Sequence, residues 1–137
     1  MKLLLRKANP SDFSQLITIW KLVGFYYPFW DTKKNLLKKI KLQPGLFITA
    51  EVDGKIAGGV IGTYDGWAAY INHLAVHPNY QELKIEDKLL SKIENCFKNL
   101  GVKKVFVQTL PGHIENRLYK KYGYAKWGVS IGWEKSI

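Results

Sequence analysis

The sequence is poor in the features that mark several large classes of protein. It contains one cysteine, Cys96, so the chain cannot form an internal disulfide, which is compatible with a reducing compartment. No apolar run approaches the roughly 20 residues that a membrane-spanning helix needs. The opening stretch MKLLLRKANP has too short an apolar centre for a signal peptide, whose apolar core takes about 7–15 residues. We therefore expect a cytoplasmic protein with no membrane partner.

The chain also lacks linkers, internal repeats and low-complexity stretches. Its 137 residues are enough for one buried core and too few for two ordinary domains. The content of 47% hydrophobic and 23% charged residues is typical of a folded domain. We predict a single domain over residues 1–137, and nothing in the pattern indicates a metal site.

Acidic residues are few. The chain has 11 Asp and Glu against 21 Lys and Arg, a formal net charge of +10, which favours a polyanionic partner. The basic residues form no long run. The sequence contains neither a recognisable DNA-reading helix nor an aromatic strand of the kind that binds RNA, so a nucleic-acid partner is not expected.

The first half of the chain changes from helical to strand periodicity. A short strand, LLLRKA, precedes a helix that Ser11 is predicted to cap, and Asp31 is predicted to cap a second helix. The runs LFITAEV, KIAGGVIGTY and WAAYINHLAVH follow, joined at Asp53-Gly54 and Asp65-Gly66. Asp-Gly between such runs is a strong hairpin signal, so we predict three antiparallel strands.

The second half alternates helices with strands. An apolar stripe from Ile85 to Leu100 predicts a helix that ends at Gly101. KKVFVQT is then a strand, IENRLYKKYGY a short helix and AKWGVSIGWE a last strand. The predicted order is βααβββαβαβ, an α/β fold whose mixed, mostly antiparallel central sheet is flanked by helices.

Two segments carry a family resemblance. LAVHPNYQ leading into the long helix, and LYKKYGY near the end, resemble the GNAT superfamily of acetyl-CoA-dependent N-acetyltransferases, and the likeness covers nearly the whole chain. The resemblance implies direct transfer of an acetyl group from acetyl-CoA, as cosubstrate, to an amine of a small molecule or peptide. The alternative is a catalytically silent GNAT-like domain that binds another ligand or a protein partner. The sequence leaves a homodimer open.

The resemblance also implies a place for the cofactor. The backbone of Leu74, Ala75 and Val76 would meet the pantetheine arm, and the amides that follow would face the pyrophosphate. The residues of this second group are Gln81, Glu82, Leu83, Lys84, Ile85, Glu86 and Asp87. Gln81 matches the family pattern, whereas Lys84 and Glu86 replace its two small residues.

Three interpretations of this loop stay open. The Lys84 and Glu86 side chains point outward and the amides still bind phosphate, with Lys84 partly offsetting the acids. Alternatively, Glu86 and Asp87 only compensate the helix dipole. In the third interpretation, the loop binds a different anion or none.

The resemblance places Tyr119 near the thioester sulfur as the acid, and Asn116 stands one turn before it, where it could replace a family asparagine. His73 is a candidate base because its intrinsic pKa suits the task, but strand alternation directs it away from the face of Leu74. A structural role for His73, and water as the base, stay open.

The acceptor site is expected at the aromatic segment GFYYPFW and the strand edges, with Tyr26, Tyr27, Trp30 and Tyr64 as binding residues. Such rings suit an apolar or cationic acceptor. The same rings could instead pack over the sheet as core.

Overall fold

The structure, a computed structural model, describes residues 1–137 and contains one mixed sheet with helices on both faces. Its five strands are β1 (Leu3–Lys7), β2 (Phe47–Val52), β3 (Lys55–Tyr64), β4 (Ala69–Val76) and β5 (Val105–Val107). Its four α-helices are α1 (Phe13–Val23), α2 (Lys33–Leu42), α3 (Ile85–Asn99) and α4 (Glu115–Lys121). Short 3₁₀ segments precede α1, β2 and α3. None of the helices has the length and apolar character required to cross a membrane.

The strands lie in chain order across the sheet, from β1 at one edge to β5 at the other. The first four are antiparallel, and β5 joins β4 in parallel after the crossover through α3. Asp53 and Gly54 form the turn between β2 and β3 with φ of +49° and +83°. Positive φ at both positions is what a two-residue hairpin turn requires. The predicted α/β fold with a mixed, mostly antiparallel sheet is confirmed.

Apolar side chains are buried on both faces of the sheet. On the face covered by α3, Leu74 and Leu89 belong to the larger core; on the face covered by α1, Leu16 and Phe47 belong to a second core. Helix α3 packs close to β3 because Gly62 has no side chain: a Cβ there would lie 2.8 Å from Cζ of Phe97. The helices therefore hold both ends of β4 in place from opposite sides.

The two predicted helix caps are wrong. Asn9, not Ser11, caps the 3₁₀ segment before α1, where its side chain accepts a hydrogen bond from the Ser11 amide. Thr32, not Asp31, caps α2, and its Oγ1 accepts from the Asn35 amide at 3.1 Å. Both residues of each pair are of types that cap helices well. Contacts with the rest of the fold therefore decide which of the two side chains forms the cap.

The predicted last strand is not formed. Residues 125–137 follow α4 without any strand pairing, and the segment leaves the sheet after the Trp127 ring contacts Phe106 at a centroid distance of 5.9 Å. The predicted order of elements holds as far as α4. A strand needs a ladder partner, and β5 offers an outer edge of only three residues within this chain.

Candidate active site

The sheet opens beside the second half of β4. Strand β5 pairs with β4 only over Ala69–Ile71, so the rest of β4 has no neighbour on that side. On its other side, Ala75 is paired with Gly59 of β3. Successive residues of a strand direct their backbone groups to alternate sides, so those of Leu74 and Val76 face the gap. This gap between β4 and β5 exposes unpaired amides and carbonyls.

A β-bulge in β4 redirects His73 next to this gap. Val60 of β3 stands opposite both His73 and Leu74, because the register shifts there, and His73 has φ of +50°. Leu74 remains in the core under α3, while the His73 ring lies on the α1 face with Trp20, at a centroid distance of 4.6 Å. The predicted separation of the two side chains to opposite faces is confirmed.

His73 and Asp31 form a buried dyad. His73 Nε2 lies 2.9 and 3.0 Å from the two Asp31 carboxylate oxygens, and Asp31 is 4% exposed. Because a carboxylate only accepts, Nε2 carries the proton. The Tyr27 amide donates to Asp31 Oδ2 at 2.7 Å and fixes the carboxylate from the other side. Nδ1 of His73 makes no hydrogen bond and is not sealed from solvent, so it is free to accept a proton.

At the head of α3, Lys84 takes a backbone conformation that favours glycine. Lys84 is exposed and has φ of +54° and ψ of +36°, the left-handed conformation that glycine adopts most easily. It gives the helix no side-chain cap. The amides of Ile85, Glu86 and Asp87 have no acceptor within a helix that begins here, and no other backbone group accepts from them. The Ile85 amide is free to meet an anion, whereas the amides of Glu86 and Asp87 interact with the carboxylates of their own side chains.

Glu86 turns inward, towards α4. Burial and the neighbouring Asp87 carboxylate raise the pKa of Glu86. Burial and the Glu86 charge raise the pKa of Glu115, the first residue of α4, to about 7. Nδ1 of His113 lies 3.9 Å from Glu115 Oε2. Two carboxylates thus converge between the heads of α3 and α4 with little compensating charge.

Asp87 instead holds α4 against α3. Its Oδ1 accepts hydrogen bonds from Lys121 Nζ and from the Tyr122 hydroxyl, both at 2.7 Å. Burial opposes the effect, but these hydrogen bonds lower the pKa of Asp87. Asp87 therefore has structural partners at the end of α4, and its charge still acts on Glu86.

Tyr119 belongs to the core under α3, together with Leu74 and Val76. It is 6% exposed, its ring lies 5.3 Å from that of Tyr124, and its hydroxyl makes no hydrogen bond. Burial, then the Glu115 charge, raise the pKa of Tyr119 far above its usual value. The hydroxyl therefore stays protonated and has no acceptor within the fold.

Asn116 and Tyr64, two more of the predicted site residues, lie in different parts of the fold. Asn116 accepts a hydrogen bond from Thr109 Oγ1 and donates to the Leu110 carbonyl at 3.3 Å, so its side chain holds the loop after β5. Tyr64 pairs with Ala69 at the start of β4, five residues or roughly 16 Å along the strand from Leu74. The structure does not bring Tyr64 to the gap.

The aromatic segment between α1 and α2 reaches the gap. The Tyr27 ring lies 5.7 Å from the His73 ring and 5.4 Å from that of Trp30, and Trp30 is 66% exposed. Tyr26 packs against the core under α1, with Lys21 Nζ 4.8 Å from its ring centroid. Phe25 contacts His113, at 5.6 Å, so this segment and the loop before α4 meet over the gap.

Sequence reasoning missed two residues of this region. Asp31 was predicted as a cap, although the adjacent Thr32 left it free for another partner. Glu115 carries no pattern that separates it from a solvent-facing helix residue, because its burial depends on how α4 packs against the head of α3.

Comparison with known proteins identifies relatives of the whole fold. The model of the acetyltransferase (GNAT) family matches residues 16–124. An acetyltransferase of Sodalis glossinidius is 32% identical over 101 residues, which are 74% of this chain and 71% of that protein. The PaiA N-acetyltransferase of Thermoplasma acidophilum, solved in complex with coenzyme A, superposes with a TM-score of 0.78 at 22% identity, covering 91% of each chain. Ard1 of Thermoplasma volcanium gives a TM-score of 0.80 at 20% identity, covering 91% of this chain and 84% of that one.

Proposed function

Since the chain belongs to the GNAT acetyltransferase family, we propose that it transfers the acetyl group of acetyl-CoA directly to an amine of a small molecule or peptide. The observation that carries this proposal is the gap beside β4, where the open backbone edge at Leu74 and Val76 leads to the uncapped head of α3. The edge suits the amides of a pantetheine arm, and the helix head suits a pyrophosphate.

The residues at the head of α3 fit acetyl-CoA in shape and only partly in charge. Lys84 takes the backbone conformation that a glycine would take, and its side chain is exposed, so it does not obstruct the amides at the head of α3. Lys88, one turn later, is also exposed and adds positive charge. Glu86 and Glu115 oppose an anion nearby, most strongly when both are ionised. We therefore favour a working pyrophosphate site whose affinity depends on pH.

His73 acts as the base in this proposal. The acceptor nitrogen forms a bond to the acetyl carbon, and the bond from that carbon to sulfur breaks. The proton released by the nitrogen goes to His73 Nδ1, and the Asp31 carboxylate stabilises the imidazolium that results. Because Nε2 is already held by Asp31, Nδ1 is the ring nitrogen that can take the proton.

Tyr119 acts on the departing sulfur. It lies on the opposite face of the sheet from His73, so the two groups reach the gap from different sides. Its hydroxyl donates a hydrogen bond to the thiolate as negative charge develops there, which lowers the energy of the transition state. Because burial raises its pKa, the tyrosine donates this hydrogen bond without losing its proton, and the CoA thiolate takes a proton from solvent as it leaves.

The acceptor is an amine on a small, apolar or aromatic skeleton. Exposed rings of Tyr27 and Trp30 flank the entrance on the α1 side, and such rings bind apolar groups and single ammonium groups. The nearest carboxylate, Asp31, is buried and engaged by His73. A polycationic peptide would meet no free acid there and would be repelled by the net charge of +10.

The test is acetyl transfer to a panel of primary amines, read by mass spectrometry of the acetylated product. We expect turnover with aromatic or alkyl amines and none without acetyl-CoA. The matched variant is His73→Gln, which should bind acetyl-CoA normally and lose most of the turnover. If acetyl-CoA binds and no amine of any class is acetylated, the silent-domain alternative is correct.

A further inference from the structure

Two large aromatic side chains project from the turn before α2. Phe29 is 85% exposed and Trp30 is 66% exposed. Hydrogen bonds fix the backbone that carries them. The amides of Trp30 and Asp31 donate to the Tyr27 carbonyl at 3.1 and 2.8 Å. Asn35 Nδ2 donates to the Phe29 carbonyl at 3.3 Å. An ordered turn thus presents both rings to solvent.

The outer face of α2 is basic. Its inner face is apolar, because Leu36 is buried in the core under α1 and Ile40 packs against that core. The exposed residues of the helix are four lysines and two leucines, namely Lys33, Lys34, Lys38, Lys41, Leu37 and Leu42. None of these lysines forms a salt bridge. Asp31, the one acid in residues 29–42, is buried and held by His73. The positive charge of this face is therefore not compensated within the segment.

Residues 29–42 thus combine exposed apolar and cationic side chains in one continuous segment. A nucleic acid neutralises lysines but offers no aliphatic surface to Leu37 and Leu42, and a protein partner needs a groove shaped to the helix. A bilayer with anionic lipids supplies both kinds of contact. Its headgroups attract lysines, and its interface takes up aromatic and aliphatic side chains. Because it requires no matching groove, a bilayer also suits the convex outer face of a helix.

We propose that residues 29–42 bind the surface of a membrane that contains anionic lipids. The lysines of the segment contact the lipid phosphates, and Phe29, Trp30 and Leu42 enter the interface between headgroups and acyl chains. Trp30 also flanks the proposed acceptor entrance, so binding places that entrance beside the bilayer. Surface binding requires no spanning segment, so the proposal revises the sequence-based expectation of no membrane partner. It does not depend on acetyl transfer.

The first experiment measures cosedimentation of the full chain with lipid vesicles. We expect binding to vesicles of phosphatidylcholine and phosphatidylglycerol in equal parts, and none to vesicles of phosphatidylcholine alone. Binding should weaken as salt is added, because ions screen the attraction between lysines and lipid phosphates. Failure to bind the anionic vesicles, or equal binding to both kinds of vesicle, would overturn the proposal.

Charge reversal on α2 tests whether this segment makes the contact. The triple variant carries Lys34→Glu, Lys38→Glu and Lys41→Glu. It should bind on the order of 100-fold more weakly, since each lysine at an anionic surface contributes about fivefold. The matched control makes the same change in net charge at three other exposed lysines, with Lys98→Glu, Lys103→Glu and Lys104→Glu. The control should keep most of the affinity. Equal losses in the two variants would show that net charge alone drives binding, which contradicts the proposal.

Phe29→Ser tests whether an apolar side chain enters the bilayer. It should weaken vesicle binding about tenfold, because a large aromatic ring no longer reaches the interface. Trp67→Ser is the matched control, since Trp67 is 87% exposed in the turn between β3 and β4 and should not contribute. If Phe29→Ser binds as tightly as wild type, the surface recognises charge alone. That result would favour an acidic protein or a nucleic acid as the partner and would overturn the proposal.

Discussion

On the α1 side of the gap, the buried carboxylate has partners: Asp31 is held by His73 and by the Tyr27 amide. On the α3 side, burial raises the pKa of Glu86 and of Glu115, the Glu86 charge raises that of Glu115 further, and neither carboxylate has a salt bridge to a lysine or an arginine. The first region is paired without a ligand, as the proposed proton transfer to His73 requires. The second has a backbone shape that suits an anion, but two acidic side chains oppose one. We therefore expect pH and charge substitutions to change ligand affinity mainly on the α3 side.

The largest expected effect comes from breaking the paired side. His73→Gln should lower kcat by roughly 10²–10⁴-fold, the usual contribution of a general base, with little change in acetyl-CoA affinity. An unchanged kcat would show that His73 only supports the structure, and that water removes the proton.

Asp31→Asn tests the proposed role of His73 through its carboxylate partner. Asparagine can still accept from the Tyr27 amide but cannot stabilise an imidazolium, so kcat should fall while the fold is kept. Thermal unfolding of the variant controls for the loss of a buried group, which is 4% exposed. A fall in stability that fully accounts for lost activity would assign Asp31 a structural role alone.

Tyr119→Phe probes the donor on the other side of the sheet. We expect kcat to drop roughly 10–100-fold, because one preorganised hydrogen bond to developing charge is lost. Cofactor affinity and stability should change little, since the hydroxyl has no hydrogen-bond partner in the fold. Tyr122→Phe is the matched control, because that hydroxyl binds Asp87 and should affect stability instead. Unaltered turnover in Tyr119→Phe would rule out its proposed role.

Much of the fold could be predicted from the sequence. The site features that could not be predicted share one cause, which is that they depend on contacts between distant parts of the chain. The periodicity of the strands and of α3, and the Asp-Gly turn at Asp53, are local signals that predicted the fold. The contact of Asp31 with His73 joins residues 42 positions apart, and the burial of Glu115 depends on the packing of α4. Neither leaves a local pattern. For the predicted last strand, the local pattern is present from Trp127 to Trp133. The strand is not formed, because β5 is too short to pair with it.

Replacing Glu86 and Glu115 should change the affinity for CoA and the pH dependence of that affinity. With folded pKa values raised, Glu86 and Glu115 hold protons better in the folded protein, so stability is lost as pH rises from about 4.5 through about 7. CoA should likewise bind more weakly above pH 7 than below it. Glu86→Gln with Glu115→Gln should flatten both trends and tighten CoA binding about 5-fold at pH 8. The same pH dependence in variant and wild type would contradict this assignment.

Lys84→Gly should have the smallest effect. Glycine adopts the left-handed conformation at position 84 without the strain of a side chain, so the free energy of unfolding should rise by about 0.5–1 kcal/mol. Lys84→Ala is the control, since it removes the same charge and keeps the strain. If denaturant unfolding shows both variants equally stable, the backbone at the head of α3 is not strained.

Titration calorimetry of CoA against the wild-type protein tests the central claim that the head of α3 is a working pyrophosphate site despite Lys84 and Glu86. The account predicts saturable binding at submillimolar concentration, tighter at pH 6 than at pH 8. No detectable binding at either pH would contradict it and leave the gap beside β4 without its proposed ligand.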